Sequence, residues 1–178
     1  MERAIFGGGC FWCLEAVFER LIGVHSVTSG YCGGGAESAN YAAVCSGTTA
    51  HAEVVAIDFD PALIEFTVLL RIFFAIHDPT TPNRQGNDVG PQYRSVVFCQ
   101  SPEQAAALEA EIAKVEREGW WPGPLVTEVR GAEPFFPAET YHHGYFRRNP
   151  EQGYCSFVVA PKVAKARAAF ASYFRDVG

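Results

Sequence analysis

Long apolar runs are missing from this chain of 178 residues. No stretch approaches the roughly 20 consecutive apolar residues of a membrane-spanning helix. The first residues also lack the basic segment, apolar segment and small-residue cleavage site of a signal peptide. We therefore expect a cytoplasmic protein without membrane partners.

Positive charge is scarce as well. The chain has 14 Lys and Arg against 20 Asp and Glu, which gives a formal net charge of −6 at pH 7. Arg147-Arg148 is only a pair, and no continuous basic stripe surrounds it. Because a nucleic-acid-binding protein needs a face rich in Lys and Arg, we expect no nucleic acid partner.

Internal repeats, low-complexity tracts and domain linkers are also missing. A hydrophobic content of 48% and a charged content of 19% are ordinary for a folded protein. The length suits one domain with a real core. We therefore expect a single domain over residues 1–178 that acts as a monomer.

Apolar periodicity and turn residues predict strands that alternate with helices. The predicted strands cover 3–6, 24–31, 52–59, 93–99 and 125–130, and the predicted helices cover 10–21, 64–76, a segment that starts at Ser101-Pro102, 138–148 and 162–174. The segments 33–47 and 80–92 are predicted to be loops. This order predicts an α/β (α+β) fold, a mixed sheet with helices packed on it.

Cys10 follows three glycines at the junction of the first predicted strand and helix. The free N–H groups and positive dipole end of a helix favour a thiolate over a thiol. Cys10 is therefore a candidate nucleophile. The alternative is a small residue that fills space beside a glycine turn, and the nearby Cys13 favours the nucleophile.

Cys10 and Cys13 form a C-x-x-C pair. Residues three apart lie on one side of a helix, where a strained disulfide is feasible, as in dithiol redox motifs. Zinc is the competing interpretation, and it would need a second ligand pair. Only His142, His143 and Cys155 could supply one, without a second C-x-x-C, so we expect no metal. The other cysteines are expected to be mostly free thiols.

Glu53 lies in a predicted strand, on the same face as Val55, Ile57 and Phe59. If this face is the core face, the carboxyl group is buried, its pKa rises, and Glu53 can act as a general acid near neutral pH. A glutamate that reaches solvent at the strand end is the alternative. Alternation by itself does not separate the two.

Several other side chains allow two interpretations. Phe11 and Trp12 either belong to the core or form an apolar pocket for a small alkyl group. Tyr31, Tyr93 and Asp88 fit strand ends or loops, where surface or turn roles are usual. His142 and His143 fit an exposed helical pair.

Short motifs spread over nearly the whole chain make these residues more specific together than singly. They are Gly9-Cys10-Phe11-Trp12, Ser29-Gly30-Tyr31, His51-Ala52-Glu53-Val54-Val55, His77-Asp78-Pro79-Thr80, Asn83-Arg84-Gln85-Gly86-Asn87-Asp88-Val89-Gly90, Gln92-Tyr93-Arg94-Ser95, and Ala138-Glu139 with Tyr141-His142. In content and order, this set resembles the A-type peptide-methionine sulfoxide reductase family. The resemblance implies a ferredoxin-like α/β plait that reduces the S epimer of methionine sulfoxide, free or in proteins, without metal or organic cofactor.

The resemblance also implies roles for individual residues. Cys10 would be the nucleophile, Glu53 the proton donor to the sulfoxide oxygen, and Tyr31 and Tyr93 hydrogen-bond donors to that oxygen. This division suits the chemistry, because the sulfur becomes a good electrophile only when its oxygen is protonated or strongly hydrogen-bonded.

Substrate-binding residues follow from the same resemblance. Phe11 and Trp12 would hold the substrate methyl group. Asp88 and His142 would contact the substrate backbone or organise the site.

Attack on the sulfoxide would leave a sulfenic acid on Cys10, which a second thiol converts to a disulfide. Gly153-Tyr154-Cys155 resembles a common resolving position of the family, whereas Cys13 stands where many members have glycine. Both cysteines remain candidates, with a slight preference for Cys155. Thioredoxin is the expected reductant.

Two alternative functions make different predictions. A general dithiol oxidoreductase would need Cys10 and Cys13 equally and would not need Glu53. A thiol sensor or metal-binding module would bind zinc or an oxidation-dependent partner without turnover. Neither function accounts for Glu53 on an apolar strand, the 83–88 loop and the two tyrosines Tyr31 and Tyr93 together.

Overall fold

A mixed β-sheet forms the centre of the structure, a computed structural model that describes residues 1–176. Within this range, six strands pair in one sheet and two short strands form a separate hairpin. The strands are β1 (Glu2–Gly7), β2 (Val24–Cys32), β3 (Ala52–Phe59), β4 (Arg84–Gln85), β5 (Asp88–Val89), β6 (Val96–Phe98), β7 (Glu128–Arg130) and β8 (Phe135–Pro137). The α-helices are α1 (Phe11–Phe18), α2 (Tyr41–Cys45), α3 (Phe66–Ile76), α4 (Pro102–Glu118), α5 (Tyr145–Arg148) and α6 (Ala160–Ala169).

The main sheet has the strand order β7-β6-β1-β3-β2-β8. Neighbouring strands are antiparallel except for β6 and β7, which run parallel. Helix α1 connects β1 to β2, and α3 follows β3 before β6, so these six elements come in the order β-α-β-β-α-β. Helix α2 lies between β2 and β3, and the β4–β5 hairpin lies between α3 and β6. The predicted mixed sheet with packed helices is confirmed.

The side chains of β3 alternate between two apolar cores. Val55 and Ile57 belong to the larger core, and Val54 and Ala56 belong to the smaller core on the other face of the sheet. By this alternation Glu53 points to the larger core, on the side where α1 contacts the strand. The fold therefore places a carboxyl group beneath the first helix.

Two predicted helix boundaries are confirmed, and each has a local cause. α3 ends at Ile76, and His77 is already extended, because Pro79 disfavours helix just before it. α4 begins at Pro102, and the side chain of Ser101 accepts a hydrogen bond from the Gln104 N–H at 3.1 Å. None of the helices within residues 1–176 combines the length and apolarity needed to cross a membrane.

Other segments differ from the sequence prediction. The predicted loop 33–47 contains α2, whose first turn is capped by the side chain of Asn40. The predicted helix 138–148 is interrupted, because Gly144 has a left-handed backbone with φ of 65°, and only a single turn, α5, follows it. The terminal helix starts earlier than predicted, with a π-helical turn at Cys155–Val159 before α6.

Candidate active site

Cys10 lies at the N-terminus of α1, directly after the glycine turn that leaves β1. Gly9 has φ of 95°, and a Cβ atom there would come within 2.9 Å of the Gln85 side chain. Position 9 therefore requires glycine for two reasons, the positive φ of its backbone and the close approach of the Gln85 side chain. The turn places the thiol just beyond the end of β1, one of the two middle strands of the main sheet.

A cavity of about 170 Å³ opens beside this thiol. It is lined by Cys10, Phe11, Trp12, Tyr41, Glu53, Asp88, Tyr93 and Tyr154. Aromatic rings form most of its wall, while a thiol and two carboxyl groups supply the reactive and charged atoms. Such a cavity suits a small, partly apolar group that carries one polar atom.

Glu53 is buried, with only 2% of its surface exposed, which excludes the solvent-facing alternative. Its Oε1 accepts a hydrogen bond from the Phe11 backbone N–H at 3.1 Å. Burial, and to a smaller degree the nearby Asp88, raise the pKa of Glu53 to about 8, although the Phe11 N–H opposes this shift. The carboxyl group is therefore mostly protonated at pH 7.

The pKa of Cys10 differs from the sequence expectation. Burial raises the pKa of this thiol well above its usual value, and negative charge on Glu53 and Cys13 adds to the rise. The Trp12 N–H at the helix start lowers the pKa but does not outweigh these effects. The helix N-terminus therefore does not produce a resting thiolate. Removal of water from the thiolate raises its free energy more than the N–H groups at the helix start lower it.

Tyr31 also differs from its predicted place. It is fully buried, it does not line the cavity, and its hydroxyl donates to Glu139 Oε1 at 2.8 Å. Glu139 Oε2 accepts in turn from the Tyr41 backbone N–H at 2.8 Å. Tyr41 lines the cavity together with Tyr93. The sequence does not point to Tyr41, because the small and polar residues of segment 33–47 predict a loop and not the short helix α2.

Trp12 is held on two sides. Its Nε1–H donates to His142 Nδ1 at 3.1 Å, and its ring stacks on Tyr145 with centroids 3.9 Å apart and planes 4° from parallel. His142 is buried, not exposed as a helical pair would be. Tyr145 is a second residue that sequence reasoning missed, although it follows His142 by only three positions.

Asp88 reaches the cavity from the short hairpin of β4 and β5. It accepts a hydrogen bond from the Tyr154 hydroxyl at 2.5 Å. This contact joins the 80–92 segment to the C-terminal part of the chain at the rim of the site. Tyr154 stands out in the sequence only as part of the Gly-Tyr-Cys motif, which does not predict its place in the cavity wall.

The two candidate resolving cysteines lie close to the nucleophile. Cys13 and Cys155 are both buried and belong to one small apolar cluster, against which Cys10 packs. Burial raises the pKa of both thiols, while Lys162 and the Tyr154 side chain partly oppose the rise at Cys13. All six cysteines are free thiols.

Comparison with known proteins agrees with this arrangement. A family model described as peptide methionine sulfoxide reductase matches residues 2–173. The chain belongs to this family. It is 57% identical over 175 residues to the peptide methionine sulfoxide reductase MsrA of Ralstonia nicotianae, covering 96% of this chain and 92% of that protein.

Two solved structures have a similar fold. The reduced form of Mxr1 from Saccharomyces cerevisiae matches with a TM-score of 0.76 and 33% identity, covering 86% of this chain and 88% of Mxr1. Mxr1 has also been solved in complex with Trx2, and that structure matches with a TM-score of 0.53 and 23% identity over 81% of this chain and 84% of Mxr1.

Proposed function

We propose that this protein reduces the S epimer of methionine sulfoxide, free or in proteins, to methionine. One observation carries the proposal: the Cys10 thiol and the protonated Glu53 carboxyl group face the same small aromatic cavity. A sulfoxide needs an acid at its oxygen and a nucleophile at its sulfur. The cavity supplies both.

The oxygen of the sulfoxide points to Glu53 and to the hydroxyl groups of Tyr41 and Tyr93. Their hydrogen bonds, and proton transfer from Glu53, make the sulfur electrophilic as the Cys10 sulfur attacks it. The thiol proton that Cys10 loses restores the Glu53 proton, so no net proton is consumed. Because the same encounter protonates the oxygen and deprotonates the thiol, a raised resting pKa of Cys10 is compatible with the reaction.

The products follow from the balance of this step. Attack forms a bond between the Cys10 sulfur and the substrate sulfur; this bond and the S–O bond of the substrate then break as the protonated oxygen passes to the Cys10 sulfur. The substrate sulfur is thereby reduced to the thioether of methionine. Cys10 is oxidised by two electrons to a sulfenic acid.

Phe11 and Trp12 hold the substrate methyl group, and the fixed Trp12 ring gives this pocket a defined shape.

A second thiol then condenses with the sulfenic acid, which releases water and forms a disulfide. The structure favours Cys13 for this step, although the sequence slightly favours Cys155. Cys13 lies three residues after Cys10 at the start of the same helix, and its N–H donates to the Cys10 carbonyl at 3.1 Å. Cys155 is enclosed in a helical turn and packs beside Cys13.

Thioredoxin reduces this disulfide and returns Cys10 to the thiol. The complex of Mxr1 with Trx2 supports this partner by analogy. We propose the cytoplasm as the place of action, because a cycle that thioredoxin resets needs a reducing compartment.

Turnover of the separated S and R epimers of a blocked methionine sulfoxide tests the function. We expect the wild-type protein to reduce the S epimer with dithiothreitol as reductant and to leave the R epimer unchanged. Methionine formation is measured by chromatography. Lack of turnover of both epimers by folded protein would reject the reductase assignment.

Serine variants of the two candidate resolving cysteines test the second half of the cycle. With thioredoxin as reductant, Cys13→Ser is expected to lose most multiple turnover, because the remaining candidate, Cys155, is enclosed in its own helical turn, while Cys155→Ser retains multiple turnover. Both variants should form one methionine per enzyme without reductant. Loss of thioredoxin-dependent turnover in Cys155→Ser, with retention in Cys13→Ser, would reverse the assignment.

A further inference from the structure

Glu15 is a buried carboxyl group that the reaction does not use. It lies on α1, three residues after Trp12 and therefore on the same side of the helix, and only 3% of its surface is exposed. A carboxyl group buried in a protein is costly unless hydrogen-bond donors surround it. Its partners therefore indicate what it does.

Two donors and one histidine surround the Glu15 carboxyl group. The Gly144 backbone N–H donates to Oε1 at 2.6 Å, and the Ser29 hydroxyl donates to Oε2 at 3.2 Å. The His143 Nδ1 atom lies 4.0 Å from Oε2. The shortest of these contacts ties α1 to the Gly144 turn, which is 129 residues away in the sequence.

The residues around Gly144 are those that hold Trp12. His142 precedes this glycine by two positions and accepts the Trp12 Nε1–H. Tyr145 follows it directly and stacks on the Trp12 ring. These contacts connect two positions of α1 to the same turn. Trp12 contacts His142 and Tyr145, and Glu15, one helical turn further along α1, binds the Gly144 N–H between them.

We propose that Glu15 is a positioning residue of the active site, whose carboxyl group holds the Gly144 turn so that His142 and Tyr145 fix the Trp12 ring. The proposal rests on the proposed function, because the fixed ring belongs to the pocket for the substrate methyl group. Glu15 does not touch the cavity itself. Its loss should therefore weaken substrate binding more than the chemical step.

The charge on Glu15 gives the contact a pH dependence. Burial raises the pKa of Glu15 to about 7, and Glu19 on the same helix adds to the rise, whereas the Gly144 N–H, Ser29 and Arg147 oppose it. A carboxylate accepts a stronger hydrogen bond than a neutral carboxyl group. The hold on the turn should therefore weaken as the pH falls below about 7.

Steady-state kinetics with a blocked S sulfoxide and dithiothreitol test the proposal. Glu15→Ala is expected to raise KM about tenfold, with kcat within about threefold of wild type, as for loss of one buried hydrogen-bond partner. Glu15→Gln keeps an oxygen for the Gly144 N–H but carries no charge, so its KM should lie between those of wild type and Glu15→Ala. Glu19→Ala is the matched control, because its exposed ion pair with Arg147 joins the same two segments and should contribute little.

A second readout does not depend on turnover. In a Trp120→Phe/Trp121→Phe background, Trp12 is the remaining tryptophan, and Glu15→Ala should shift its emission to longer wavelength as the ring becomes more exposed. Absence of turnover in wild type would reject the proposed function and leave this shift measurable. An unchanged KM and unchanged emission in folded Glu15→Ala would overturn the positioning role.

If Glu15→Ala does not fold, the pH dependence of KM in wild type and in Glu15→Gln still tests the proposal. The KM of wild type should rise as the pH falls through about 7, and that of Glu15→Gln should not, because the amide has no charge to lose. An equal rise of KM in both proteins would overturn the proposal.

Discussion

Cys10→Ser is expected to lose turnover of methionine sulfoxide by roughly 10⁴-fold or more, in line with removal of other catalytic nucleophiles. Serine fits the space at the start of α1, but its hydroxyl is a far weaker nucleophile than sulfur and forms no sulfenic acid. The measurement is methionine formation from the blocked S sulfoxide with dithiothreitol. Dithiothreitol makes the result independent of the resolving thiol.

Cys99→Ser provides the matched control. Cys99 is a buried thiol directly after β6, and it does not line the cavity. This variant should keep turnover close to wild type once folding has been checked by circular dichroism. Turnover that survives in Cys10→Ser would assign the nucleophile to another residue.

Glu53→Gln is expected to reduce kcat/KM by about 10² to 10⁴-fold, the usual contribution of a general acid. The amide has nearly the same shape and can still accept the Phe11 N–H, but it has no acidic proton for the sulfoxide oxygen. The loss should appear with dithiothreitol as with thioredoxin, because it precedes disulfide formation.

The pH dependence of kcat/KM tests the same role by its sign. The acid works only when protonated, so activity of the wild type should be present below the pKa of Glu53, about 8, and fall as the pH rises through it. Residual activity of Glu53→Gln should not show this alkaline fall. A fall at the same pH in the variant would assign the titration to another group.

Glu111→Gln is the matched control for Glu53→Gln. Glu111 is also buried, but on α4, where it pairs with Arg71. Its substitution should change the stability of the fold and leave the pH profile of kcat/KM unchanged. This control separates loss of a general acid from loss of any buried carboxyl group.

Local signals predicted part of the fold well. Alternation along 52–59, the Ser101 cap and the proline after Asp78 act through neighbouring residues, and the structure contains β3, α4 and the end of α3 where these signals place them. Local signals did not predict β8. This strand exists because 135–137 pairs with the edge of β2, a contact more than 100 residues apart.

The candidate site divides in the same way. The sequence identified Cys10, Glu53 and Tyr93 as chemically suitable, and all three line the cavity. It placed Tyr31 there as well, whereas Tyr41 occupies the wall and Tyr31 binds Glu139 behind it. The sequence by itself does not show which of the two tyrosines faces the cavity, because this depends on how the edge of the sheet and α2 pack together in the folded protein.

By itself, the sequence determined the chemical groups of this protein: a cysteine at a helix start, a glutamate on an alternating strand, and the motifs of one reductase family. Only the tertiary structure decided the state of these groups, because burial comes from distant segments that pack over them. The same packing raises the pKa of Cys10, keeps Glu53 protonated, and ties Glu15 to the Gly144 turn. Spacing along a chain fixes which atoms are available, and exclusion of water by the assembled fold fixes their charge.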